Sequence, residues 1–183
     1  MAKIININDF LKRKEKKDDD LNFFLKEAIL LRKKSLKLKG EINLIDQKDF
    51  KTFLEGKIFD LLIRKKNIGS EFFLCGNYIA ILLTEILSKI PETWFAIDYI
   101  INSNNTNNPK FLKEGANVCF LICTLFKKRS SIRCMKYDDY REMGKGMYYQ
   151  FYSQTGKEIG FHMSIRYEIM VEITNKCLEE IKN

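Results

Sequence analysis

From Phe111 to Phe126 the chain has almost no polar face, since after Glu114 only Asn117 and Thr124 interrupt the apolar side chains. A segment that is apolar all round belongs in the middle of a protein, wrapped by its neighbours. It is too short, with Lys113 and Glu114 too near its start, to meet the about 20 apolar residues that a bilayer requires. Pro109 stands where a helix opens, and the length exceeds that of an ordinary strand. The pattern therefore predicts a central buried helix over about residues 110–127, with a buried strand at Val118 to Leu125 as the competing reading.

Helical spacing marks the elements around it. Leu21, Phe24, Leu25, Ala28 and Ile29 predict a helix over Leu21 to Lys39, with Gly40 as its stop. A second runs from Gln47 to Lys66, with Asp46 as N-cap and Phe50, Leu54, Ile58, Leu61 and Leu62 as its buried stripe. Ser70 can cap a third, Glu71 to about Lys89, whose interior Asn77 and Glu85 favour a core helix over a membrane span. Pro91 ends that helix and starts another over Glu92 to Ile101. Asn102 to Asn108, a run of asparagines with one serine and one threonine, reads as a loop.

Tyr140, Met143, Met147 and Phe151 repeat at helical spacing within Tyr137 to Tyr152. Gly144 and Gly146 sit in the middle, where each costs about 1 kcal/mol relative to Ala, so a neighbouring helix or a ligand should approach closely there. In the last helix, Phe161 to Ile181, the residues Phe161, Ile165, Ile169, Ile173, Cys177 and Ile181 stand four apart. A four-residue repeat drifts around a helix, so this stripe should curl across its neighbours. No internal repeat or coiled-coil seam is present. The reading is all-α: a compact single-domain bundle of six or seven helices over residues 21–183, preceded by a mobile, charged tail over residues 1–20.

Charge adds an asymmetry. The chain carries +8, and residues 1–66 hold 18 Lys and Arg against 11 Asp and Glu, while the remainder holds 14 against 13. Such an excess fits an anionic partner. The basic residues are mostly lysine, however, and the planar arginine fork favoured for phosphate is scarce. A nucleic-acid surface would use Lys12, Arg13 and Lys14 with the helix ends at Lys33, Lys34, Lys37, Lys65 and Lys66. Position at the negative pole of a helix also accounts for the last five.

Candidate chemistry is sparse. The odd count of five cysteines follows no disulfide framework and reads as free core thiols in the reducing cytoplasm, with no apolar signal segment in Met1 to Asp20. Cys119 and Cys123 share a helix face but lack the further ligands of a zinc site, and one histidine cannot build a di-iron bundle. No phosphate-loop or dinucleotide motif occurs, and no metal or cofactor is expected. The unique His162 could act as a base oriented by Glu158 or Glu168, in a pocket near Tyr148, although Ser164 would face elsewhere.

Tyr and Met give large, adaptable contact area, so Tyr137, Tyr140, Met143, Gly144, Met147, Tyr148 and Tyr152 form the candidate partner-binding face. The leading expectation is a non-catalytic adaptor or regulator binding another protein. A nucleic-acid-binding protein is the alternative, and a helical enzyme or ligand-binding domain with a pocket near His162 is a further one.

Overall fold

The computed structural model describes residues 47–65, 68–87, 89–126 and 135–182. The chain divides into Met1–Ile45 and Asp46–Asn183. The first unit lies outside the described residues, and with it the charged tail and the Leu21 to Lys39 helix; Asp46, the expected cap, lies outside them too.

The second unit is all-helical among its described residues. Its six helices are α1 (Gln47–Arg64), α2 (Ser70–Glu85), α3 (Ala96–Thr106), α4 (Lys110–Leu125), α5 (Tyr137–Thr155) and α6 (Glu158–Lys182). The expected central helix is α4: Val118 to Thr124 are all buried, and α3, α5 and α6 cover it. α1 and α2 pack on each other and both rest on α6, which thereby touches four helices.

Close helix crossings are made where glycine leaves room. A Cβ on Gly76 would meet Ile58 and Leu62 of α1, one on Gly115 would meet Tyr99 of α3, and one on Gly144 would meet Tyr167 of α6. The mid-helix cost of Gly144 is thus offset by an α5–α6 approach that no larger residue permits. Gly146 has no such reason, because nothing lies within 4 Å of its Cβ position.

Three boundaries differ from expectation. Gly69, not Ser70, is the N-cap of α2, and that helix ends at Glu85 rather than near Lys89. The segment Glu92–Phe95 is not helical. Thr93 Oγ1 accepts the Phe95 N–H at 3.1 Å and donates to Asp98 Oδ2 at 2.8 Å, a side-chain turn that delays the start of α3 to Ala96. The expected asparagine loop is mostly helix. Thr106 donates back to the Asn102 carbonyl at 2.6 Å, buried Ser103 bonds the Asn108 carbonyl at 3.3 Å, and Asn107 closes α3 with φ 51°. Asparagine enters that left-handed region more readily than most residues, so two residues complete the turn into Pro109.

The drift of the α6 repeat is visible in exposure. Phe161 is 37% and Ile165 57% exposed, whereas Ile173 is 2% and Cys177 0% exposed. Four residues advance 400° around a helix of 3.6 residues per turn, so each step rotates the stripe by about 40°. The face that is buried throughout runs instead through Met163, Tyr167, Met170, Val171 and Thr174.

Candidate functional site

The tyrosine- and methionine-rich face is divided by the fold. Tyr140, Gly144, Met147 and Tyr148 are buried, and Tyr137, Met143 and Tyr152 are half-buried. As a partner-binding face in one piece the set is therefore corrected: its centre belongs to the core. Tyr148 and Tyr78 both donate to Asn117 Oδ1, at 2.7 and 2.6 Å, across α5, α2 and α4. Tyr167 points its hydroxyl at Cys123 Sγ, 3.9 Å away, and packs edge-on to Phe120. Burial pushes the phenols of Tyr148 and Tyr167 well above their ordinary range, so they stay protonated as donors.

What remains outside is a strip on the α5–α6 hairpin. Tyr149 is exposed and its ring centroid lies 6.4 Å from that of Tyr152, which lies 5.3 Å from that of Phe161. Ile165, one helical turn beyond Phe161, is also exposed. Of this strip, sequence reasoning names Tyr152 and misses the rest. Tyr149 is adjacent to the expected set, while Phe161 and Ile165 belong to the four-residue repeat expected to curl across neighbouring helices, at the end where that repeat faces outward.

A second face of the hairpin is a lattice of charge. Glu168 takes Arg141 and Lys145, each at 2.8 Å, and Lys145 also holds Glu142 at 2.8 Å. Glu172 takes Lys176 at 2.8 Å and Lys65, just past the end of α1, at 2.9 Å, and Arg64 reaches Glu180 at 3.6 Å. The two lysines beside Glu172 hold its carboxyl down at about 2. An open recess of about 390 Å³ lies here, lined by Tyr137, Arg141, Glu168, Glu172 and Lys176 among others. Of the expected nucleic-acid residues, Lys65 is thus engaged within the bundle, while Lys12, Arg13, Lys14, Lys33, Lys34, Lys37 and Lys66 lie outside the described residues.

The three residues expected around a pocket, Tyr148, His162 and Glu168, are engaged in different surroundings. Tyr148 is in the core, Glu168 in the charge lattice, and His162 lies between Arg166 and Glu158. Ser164 donates to the Phe161 carbonyl at 2.8 Å. Cys75, Cys119, Cys123 and Cys177 are buried free thiols, and burial raises Cys75 to about 12 and Cys123 and Cys177 to about 11. Such thiols are poor nucleophiles and poor ligands at neutral pH. Among the described residues no group of three His, Cys, Asp or Glu side chains is placed to hold a metal ion, and no helix is long and apolar enough to cross a membrane.

Comparison with protein-family models, curated proteins and solved structures finds no match.

Proposed function

We propose that the protein is a helical adaptor or regulator without catalytic activity of its own, working in the cytoplasm, and that another protein docks on Tyr149, Tyr152, Phe161 and Ile165. The observation that carries this reading is the run of ring contacts from Tyr149 through Tyr152 to Phe161 on the outside of the hairpin. Scattered exposed apolar side chains are ordinary, but contiguous ones mark interaction surfaces. Tyrosine is enriched at such surfaces because it joins a broad ring to a wet hydroxyl. The buried free thiols suit a reducing compartment.

A photo-crosslinking amino acid at position 149 or 165, with position 154 on another face of α5 as control, tests the reading in cells expressing the protein. Adducts to a protein at 149 and 165 but not at 154 are expected. Equal adducts at all three positions, or none, would sink it. Fluorescence anisotropy with labelled oligonucleotides at about 50 and about 200 mM salt tests the alternative. Binding that weakens by orders of magnitude across that range would make nucleic acid the partner.

A further inference from the structure

The start of α2 is tied to α6 by Arg166, which pairs with Glu71 of α2 and also contacts His162 one turn away on its own helix. Arg166 Nη2 donates to Glu71 Oε1 at 2.6 Å, and Nη1 lies 3.1 Å from His162 Nδ1. The guanidinium lies over the Phe72 ring, 5.0 Å from its centroid, with its side chain 14% exposed and its Nε buried without a partner. A guanidinium is always protonated and has no acceptor atom. The 3.1 Å contact is a hydrogen bond only when Nδ1 offers its lone pair. The imidazole is then neutral, with its proton on Nε2, which lies 4.0 Å from Glu158 Oε2.

We propose that His162 is a proton switch for this brace: neutral, it accepts from Arg166 and helps hold α6 to the start of α2; protonated, it abandons Arg166 for Glu158. The proton comes from solvent and binds Nδ1. It converts the acceptor into a donor and sets an imidazolium against a guanidinium. Arg166 keeps Glu71 and loses its second anchor.

The groups around the imidazole and its arginine come from three helices. Glu158 and Arg166 flank it on α6. On α2, the carboxyl of Glu71 is held below its ordinary value by its own backbone N–H and by Arg166, and burial keeps the Cys75 thiol protonated. From α5, the ring of Tyr152 reaches it through Phe161, whose centroid lies 5.7 Å from that of His162. Between about pH 8 and about pH 5.5 an imidazole is the side chain that changes charge. The switch stands or falls independently of what docks on the aromatic strip.

His162 is the single histidine of the chain, so its ring nitrogens can be read without ambiguity in the full-length protein. Nitrogen-15 spectra at about pH 8 should show the Nε2–H tautomer. Hydrogen exchange at the amides of Phe72 to Cys75, corrected for its intrinsic pH dependence, should quicken several-fold on acidification to about pH 5.5. The quickening should vanish in His162→Gln, whose amide oxygen can accept from Arg166 at either pH. An Nδ1–H tautomer at about pH 8, exchange that does not respond in the wild type, or the same response in His162→Gln would each overturn the proposal. The tautomer is read on the wild-type protein, so the test does not depend on the variant folding.

Discussion

Alanine at Gly144 and alanine at Gly146 should move the stability of the bundle in opposite directions. The two positions share a helix and lie two residues apart, so propensity favours both replacements equally, by up to about 1 kcal/mol. Packing separates them. A Cβ on Gly144 would stand 2.7 Å from Tyr167 Cζ and 2.8 Å from Cε2, and closer still to the hydroxyl. That ring cannot withdraw freely. It is fully buried, edge-on to Phe120 with centroids 5.5 Å apart and tilted against Tyr148 at 6.2 Å.

Overpacking of this kind costs about 1–3 kcal/mol, and contact with several ring atoms puts Gly144 near the top of that range. After the propensity gain the net loss for Gly144→Ala is about 2 kcal/mol. For Gly146→Ala, with nothing within 4 Å of the new carbon, a gain of about 0.5–1 kcal/mol remains. For a domain of this size about 1 kcal/mol moves Tm by roughly 2–4 °C. Urea and thermal unfolding followed by far-UV circular dichroism should place the variants on opposite sides of the wild type, several degrees apart. Two shifts of the same sign would refute the reasoning, because α5 and α6 would then not be held together at Gly144.

Two further outcomes are expected from the buried and surface polar groups. Asn117→Ala leaves the hydroxyls of Tyr78 and Tyr148 without their acceptor and should cost about 2–4 kcal/mol in urea unfolding; a loss under about 1 kcal/mol would show that the hydroxyls find other partners. The Glu172 carboxyl, lowered to about 2 from 4.5, contributes stability that is fully present above about pH 4.5 and lost as pH falls toward 2. Its exposure limits the contribution to about 1 kcal/mol at most, so Glu172→Gln should slightly flatten the acid limb of the stability profile, and an unchanged limb would remove Glu172 from that account.

The elements with strong internal periodicity were legible from residues alone. α1 and α4 fall within two residues of their expected bounds, and the buried stripe of α1 holds Leu54, Ile58, Leu61 and Leu62 as read. The asparagine run was not legible, because its helix depends on local side-chain bonds, Ser103 to the Asn108 carbonyl and Thr106 to the Asn102 carbonyl, that residue propensity does not register. Trp94 falls inside the helix expected over Glu92 to Ile101, yet it precedes the helix and packs edge-on to Phe126, 5.1 Å away, a contact made across 32 positions of chain. The candidate site was half legible. Spacing located the aromatic segment, but which tyrosines face inward depends on where Asn117 and Tyr167 stand, and both come from other helices.

Charge and apolar surface are also distributed differently. The described residues carry 15 Lys and Arg against 16 Asp and Glu, so residues 1–46, 66 and 127–134 hold an excess of +9, one more than the +8 of the whole chain. On the α5–α6 hairpin, Arg141, Lys145 and Lys176 are already held by Glu168, Glu142 and Glu172. A partner docking there by charge would first have to break those pairs. The aromatic strip is satisfied by nothing comparable, since a ring in water gains by being covered at about 25 cal/mol for each Å² removed. The hairpin is thus better prepared to bind through Tyr149, Tyr152, Phe161 and Ile165 than through its charges. Substituting Ile165→Glu on that strip should abolish crosslinking at position 149 while leaving the unfolding curve within about 0.5 kcal/mol of the wild type, as expected for an exposed site.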